Sequence, residues 1–235
     1  LAVAAGLGAG QGNSGKIDFS GDVHAYVGQG ANVKVSDALN LTASFTPKIE
    51  VDTIGVSAGT FAVGVSESAV VIDADVVASL GDPSNAMLGD LTVNAGSLSL
   101  SARTLRNGDS VNIHSVGSAG ALVGVSATVS DINNTSSVKA RIADGSVIAI
   151  TGAASLTADT NIRLDSRAVN ATGGLVAAGA ASVDIADHST IDASIGAGVT
   201  FGAGSLAITS GGINTVYGNA IAGSGGVLAG AGVEV

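Results

Sequence analysis

Apolar residues fall at every second position through much of this chain, which predicts β-strands and not helices. In the segment 138–142, for example, Val, Ala and Ile alternate with Lys and Arg. A related pattern, Val/Ile-x-Ala-x-Val/Ile/Leu, occurs in four segments: 23–28, 76–81, 138–143 and 191–196. The apolar positions recur while the intervening positions vary, so we predict one buried and one exposed face for each strand. The equivalent buried positions are Ala25, Ala78, Ala140 and Ala193.

Two further series show that the whole chain repeats itself about every 55 residues. A Leu-rich series lies at 39–43, 98–102, 154–158 and 206–210, and an apolar series that follows small residues lies at 61–65, 122–125, 175–178 and 227–230. Leu1–Ala5 is similar to this last series, so we expect a piece of a longer array that begins and ends in the same phase. The predicted units are 1–43, 44–102, 103–158, 159–210 and 211–235.

Each unit offers about four strand signals between turn signals, which lie at 81–85, 107–109, 133–134 and 144–145. Stacking equivalent strands predicts an all-β chain folded as a β-solenoid similar to a parallel β-helix. One wide coil per repeat would give an array about 20 Å tall, whereas two narrow coils would give about 40 Å, since stacked strands are about 4.8 Å apart. The repeat length alone leaves both arrangements open.

The composition favours closely stacked strands over a wide globular core. Hydrophobic residues make up 46% of the chain and aromatic residues only 3%, with 35 Gly. The formal net charge of −10 disfavours binding to nucleic acid and to anionic membrane surfaces. The few aromatic residues and the glycine-rich apolar stretches disfavour membrane insertion. There is no cysteine, which excludes disulfides and thiolate metal sites.

Three runs resemble the repeat regions of large bacterial exoproteins, namely Gly-Gly-Leu-Val-Ala at 173–177, Thr-Ile-Asp-Ala-Ser-Ile-Gly at 190–196 and Ser-Leu-Ala-Ile-Thr at 205–209. The similarity is to leukotoxin-family filamentous adhesins and, more distantly, to filamentous-haemagglutinin-like proteins. It extends over essentially the whole chain. The resemblance implies a right-handed parallel β-helix in a secreted, surface-associated adhesin or filament, and it implies no catalytic residues.

Few residues suggest a chemical site. Acidic residues recur after the Gly/Ala-rich strands, and oxygen-rich turns repeated along a stack could bind calcium. The calcium candidates are Asp131, Asp184 and Asp187, although Asp also favours such turns without an ion. His24, His114 and His188 fall in different phases of the repeat. A zinc site needs several ligands at one point, so we expect these to be surface histidines. We predict no cofactor other than this possible calcium.

These observations favour a structural or adhesive segment of a secreted or cell-surface protein over an enzyme. Strand edges that are left unpaired are templates for another chain, so we expect partners to be neighbouring repeats or identical chains joined end to end into a filament. Surface glycans or matrix are further possible partners. The alternative is a carbohydrate-binding or carbohydrate-active β-helix, against which the scarcity of aromatic platforms argues.

Overall fold

The computed structural model describes residues 1–82, 91–106, 108 and 110–235. This part of the chain contains seventeen β-strands and no helix, and hence no helix long and apolar enough to cross a membrane. The all-β prediction is therefore confirmed. The predicted turns at 81–85 and 107–109 fall partly on residues 83–85, 107 and 109, which lie outside the described residues.

The chain passes repeatedly through a long stretch, a strand of three or four residues, and a strand of eight residues. The long stretches contain β1 (Ala2–Val27), β4 (Ile49–Leu80), β7 (Val111–Asn134), β8 (Ser137–Ile142), β11 (Arg163–Gly173), β12 (Val176–Asp187), β13 (Thr190–Ile195), β16 (Thr215–Gly225) and β17 (Leu228–Glu234). The shortest strands are β2 (Asn32–Lys34), β5 (Thr92–Ala95), β9 (Val147–Ile150) and β14 (Thr200–Gly202). The eight-residue strands are β3 (Ala38–Phe45), β6 (Ser97–Thr104), β10 (Ala153–Thr160) and β15 (Ser205–Gly212).

The described strands pair in parallel with the strands that hold the same place in neighbouring repeats. Ala25 pairs with Ala78, Ala78 with Ala140, and Ala140 with Ala193. The long stretches form a nine-stranded sheet, and the shorter strands form two four-stranded sheets in the orders β14-β9-β5-β2 and β15-β10-β6-β3. Each complete repeat adds one layer to each sheet, beside the layer of the preceding repeat, and paired strands are about 4.8 Å apart.

The main core is the apolar cluster in which the ends of the long stretches meet both four-stranded sheets. Ala78 and Ala140 are fully buried there, while Ala25 and Ala193 in the outer layers are partly buried against it. The predicted inward-facing alanines are thus confirmed. The larger buried side chains of this core include Val76, Leu80, Val93, Leu100, Ile142, Ile148 and Leu156.

The earlier part of each long stretch folds back on itself as two facing arms. β11 and β12 are such a pair of arms, and β16 and β17 form the next pair along the stack. In β4 the same arrangement places the hydroxyl oxygens of Thr53 and Ser68 2.5 Å apart. We call the side chains that face each other between two arms the arm seam, and the turns that join the arms the arm tips.

Small and polar side chains fill most of the arm seam. The Ser126 hydroxyl donates to Asn170 Oδ1 at 2.8 Å, and the hydroxyls of Ser130 and Ser166 are 2.7 Å apart. All four residues are buried, and such groups are tolerated inside a protein because they are hydrogen-bonded. Toward the main core the seam becomes apolar, with a cluster that includes Val70, Ile72, Ile113, Ile132 and Leu164.

Glycine is required at the arm tips because one layer approaches the next closely. A Cβ atom at Gly174 would collide with the carbonyl oxygen of Ala121, and one at Gly226 would collide with the carbonyl oxygen of Gly174. The Gly/Ala-rich series therefore marks positions where backbones of successive layers come together.

The phase assigned to the first residues is wrong. Ala5 pairs with Ala58, and the register continues through Gly120 and Gly173 to Gly225. Leu1–Ala5 therefore corresponds to 221–225, on the first arm, and not to the series at 227–230 on the second. Both arms alternate small and apolar residues, so composition alone does not distinguish them.

Two other predictions fail locally. Val77 and Ser79 lie on the face predicted to be exposed, but both are buried. Longer side chains flank them in the neighbouring layers: His24 and Lys139 beside Val77, and Tyr26 and Arg141 beside Ser79.

The acidic residues predicted in turns lie in strands β4, β7 and β12 instead. The inward apolar residues continue at every second position past them, which keeps the strand going.

Candidate functional site

The three calcium candidates lie on β7 and β12 but are not brought together as one cluster among the described residues. Asp131 and Asp184 are direct partners in the parallel register. Asp187 lies three residues further along β12, opposite Asn134. The structure therefore brings together a pair of carboxylates and separates it from the third.

The carboxylate of Asp187 is occupied by protein donors. Asn134 Nδ2 and the backbone N–H of Ser189 donate to Oδ1 at 2.8 and 3.2 Å, and Asn214 Nδ2 donates to Oδ2 at 2.7 Å. Burial by itself raises the pKa of Asp187, but the hydrogen bonds from Asn214, Ser189 and Asn134 outweigh it and lower the pKa. At the end of β12, Asp187 thus accepts hydrogen bonds from Asn134 and Asn214, which belong to the layers on either side of it.

Asp131 is in the opposite situation. Burial raises the pKa of its carboxyl group, and the negative charges of Asp184 and Glu67 raise it further. Carboxylates that repel each other in this way would attract a cation, although a calcium ion ordinarily takes six to eight oxygen ligands. Asp131 and Asp184 supply only two carboxylates.

A second cluster, which the sequence did not single out, contains Asp22, His24 and Asp75. One potential ligand atom from each lies within 4.8 Å of the others, and His24 Nε2 is 3.8 Å from Asp75 Oδ2. Asp75 Oδ1 accepts a hydrogen bond from Ser137 Oγ and lies 3.4 Å from Lys139 Nζ. Burial raises the pKa of Asp75, but Ser137, Lys139 and His24 outweigh this and lower it. Asp22 and Asp75 are far apart in the sequence, and only the pairing of β1 with β4 shows that they are neighbours.

A polar groove crosses four layers on the outer face of the first arms, with a volume of about 410 Å³. Two ladders line it. The first ladder is Glu50, Asn112, Asp165 and Tyr217, and the second is Asp52, His114, Arg167 and Asn219. Asp165 is held by Arg163 at 2.7 Å, and His114 Nδ1 lies 3.9 Å from Asp52. The groove offers carboxylates, amides, a guanidinium and one aromatic ring to a polar ligand.

The arm tips and the outer face of the second arms expose apolar side chains. Leu122 is 53% exposed and Leu175 51%, and Phe61 and Val63 are exposed to a similar degree. Single exposed apolar residues are ordinary, but a stripe that continues from layer to layer is typical of an interaction surface. The sequence showed this series as a repeat, without indicating that it faces solvent.

No protein-family model, no curated protein and no solved structure matches the chain. Its function must therefore be inferred from the geometry of the layers and of the surfaces described above.

Proposed function

We propose that this chain is a structural, adhesive segment of a secreted or cell-surface β-solenoid protein, with one wide right-handed coil per repeat. The observation that carries the proposal is the in-register parallel pairing of equivalent positions through the successive layers. An array built in this way presents long side-chain ladders along its faces, which suit contacts with other chains. The extracellular location and the handedness rest on the resemblance of runs 173–177, 190–196 and 205–209 to bacterial adhesin repeats.

The edges of the stack provide the contact for neighbouring repeats or identical chains. Strand β15 pairs only with β10, and β3 pairs only with β6, so each keeps an edge without a partner among the described strands. On β15, the core-facing Leu206 and Ile208 are each 45% exposed. Another strand laid on this edge would gain backbone hydrogen bonds and cover both side chains.

Lysine substitutions at the edge test this contact. The pair Ala207→Lys and Thr209→Lys on β15 places two charges beside the unpaired edge. The matched control is Ser155→Lys with Thr157→Lys, which changes the same two register positions on the interior strand β10. Sedimentation across a concentration series should show self-association of the unmodified chain and of the control, and a loss of at least tenfold in association for the β15 variant. A monomer at every concentration, or an equal loss in both variants, contradicts edge pairing.

The polar groove favours a second candidate function, the binding of carbohydrate. Its two ladders present hydrogen-bonding groups in each of the four layers that it crosses, and the row Ile54, Val116, Val169 and Ile221 runs beside them. Sugars combine hydroxyl groups with apolar C–H faces, so polar ladders next to an apolar row suit them. A glycan array should show binding that Arg167→Ala and Tyr217→Ala abolish and that Arg103→Ala, outside the groove, leaves unchanged. A polysaccharide-release assay on the same chain separates binding from cleavage.

A further inference from the structure

We propose that Asp22, His24 and Asp75 form a binding site for a divalent transition-metal ion of the Zn²⁺ type. The site is independent of both candidate functions above. It combines one imidazole nitrogen with two carboxylate oxygens, a set that suits Zn²⁺, Co²⁺ or Ni²⁺. Calcium and magnesium take oxygen ligands, so the imidazole distinguishes this site from the calcium site considered for Asp131 and Asp184.

The fold itself brings the three ligands together. Asp22 and His24 are two residues apart on β1, so their side chains leave the same face of the strand. Asp75 on β4 is the register partner of Asp22, which places it one layer away. The three ligand atoms lie within 4.8 Å of one another, and the His24 and Asp75 atoms are 3.8 Å apart. Zinc bonds are about 2 Å long, so small rotations of the side chains of Asp22 and His24 bring all three ligand atoms into its shell.

Asp75 is oriented for this role by its neighbours. Ser137 and Lys139 engage its Oδ1 atom, and this leaves Oδ2 toward His24. A carboxylate held through one oxygen presents the other in a fixed direction, as second-layer hydrogen bonds do in metal sites. Asp22 makes no hydrogen bond or ion pair with any described residue, so its carboxylate has no counter-ion of its own.

Lys139 provides the distinguishing prediction. Its ammonium group lies 3.4 Å from Asp75 and repels a cation that binds there. Replacing it with glutamine removes this repulsion, while Ser137 still holds Oδ1 of Asp75 and all three ligands stay in place. Lys139→Gln should therefore bind the metal more tightly than the unmodified chain. A purely structural role for the three ligands predicts no such gain.

The test is titration of the full chain with Zn²⁺ alone, followed by calorimetry, and with Co²⁺, followed by its visible absorption. We expect one metal ion per chain. His24→Ala and Asp22→Asn should each weaken binding at least tenfold, and Lys139→Gln should strengthen it about threefold or more. His114→Ala is the matched control, because it removes a histidine of the separate His114–Asp52 pair.

Circular dichroism on each variant checks that the fold is kept, as expected for the exposed residues 22 and 24. Binding that survives His24→Ala, or that is lost equally in His114→Ala, overturns the proposal. So does the absence of a stoichiometric site in the folded chain, or weaker binding by folded Lys139→Gln.

Discussion

The main core and the arm seam belong to the same layers of this chain but contain different side chains. In the main core, Leu100 and Leu156 stack on each other as equivalent buried residues of successive layers. In the arm seam, Ser126 and Asn170 are buried and bonded across the two arms. The core gains stability from the apolar area it removes from water, about 25 cal/mol per Å². The seam gains little from burial and depends on the completeness of its hydrogen bonds.

This difference follows from the width available in each region. Three sheets surround the main core and leave room for Leu and Ile. The two arms face each other alone, and Gly, Ala, Ser and Thr allow them to approach closely. Since close strands of small residues bury little apolar area, serine and threonine hold them together by hydrogen bonds that are specific in direction. The two regions should therefore respond differently to substitution.

The largest expected effect is a charge placed in the main core. Ala140→Asp buries a carboxylate between Ala78 and Ala193, where no described charge can pair with it. We expect a loss on the order of 3 to 5 kcal/mol in the free energy of unfolding. The control at the adjacent outward position is Lys139→Gln; an aspartate there would be unsuitable, because it would face Asp75 and the register partner Asp192. Chemical denaturation of both variants should show a small loss for Lys139→Gln, and equal losses would refute the assignment of the faces.

A smaller loss in the free energy of unfolding is expected in the arm seam, and the losses from two substitutions there should not be additive. The hydroxyl groups of Ser130 and Ser166 form a hydrogen bond with each other at 2.7 Å. Ser130→Ala or Ser166→Ala alone leaves one buried hydroxyl unsatisfied and should cost about 1 to 3 kcal/mol. The double variant removes both hydroxyls and should cost clearly less than the sum of the single losses.

Denaturation of the four chains in this double-mutant cycle measures the coupling directly. Additive losses would mean that the two hydroxyls do not depend on each other. In that case the seam would behave like the main core, where removal of each side chain is costly by itself.

The sequence was sufficient to predict strands, repeats and the inward face of the Val-x-Ala series. Ala78 and Ala140 share a face because side chains alternate along a strand, which is a local property. The residues at the ends of four predicted units, Ala43, Ala102, Ala158 and Ser210, even occupy successive positions of one ladder. Such positions can be aligned by comparing the chain with itself.

The arms and the surface sites could not be derived in the same way. Strand β4 is a continuous stretch of 32 residues, and nothing in its alternation reveals that it folds back on itself near Phe61. Likewise, Asp22 and Asp75 become neighbours only through the register between layers. Asp131 and Asp184 occupy equivalent positions and were therefore visible as a recurrence. Asp187 differs from both because Asn134 and Asn214 donate hydrogen bonds to it from the neighbouring layers, and these contacts are not visible in the sequence.

The smallest expected effect concerns two acidic residues that lie outside the main core and the arm seam, Asp187 and Asp131. For Asp187 the hydrogen bonds lower the pKa in the folded chain. Its contribution to stability is therefore present above the unfolded pKa, near 3.9, and is lost as the pH falls through the lower folded value. For Asp131 burial and the charges of Asp184 and Glu67 raise the pKa, so the sign is reversed. Its favourable contribution is present below the unfolded pKa and is lost as the pH rises through the folded value.

Neutral variants separate these two contributions. At pH 7, Asp187→Asn should destabilise the chain and Asp131→Asn should stabilise it slightly, by less than about 1 kcal/mol because the group is largely solvated. At acidic pH, where both carboxyl groups are protonated, the two variants should approach the stability of the unmodified chain. Thermal melting of the three proteins between pH 2 and pH 7 measures both trends. If Asp131→Asn destabilises the chain at pH 7, then the Asp131–Asp184 pair is not repulsive, which would indicate a cation bound between the two carboxylates.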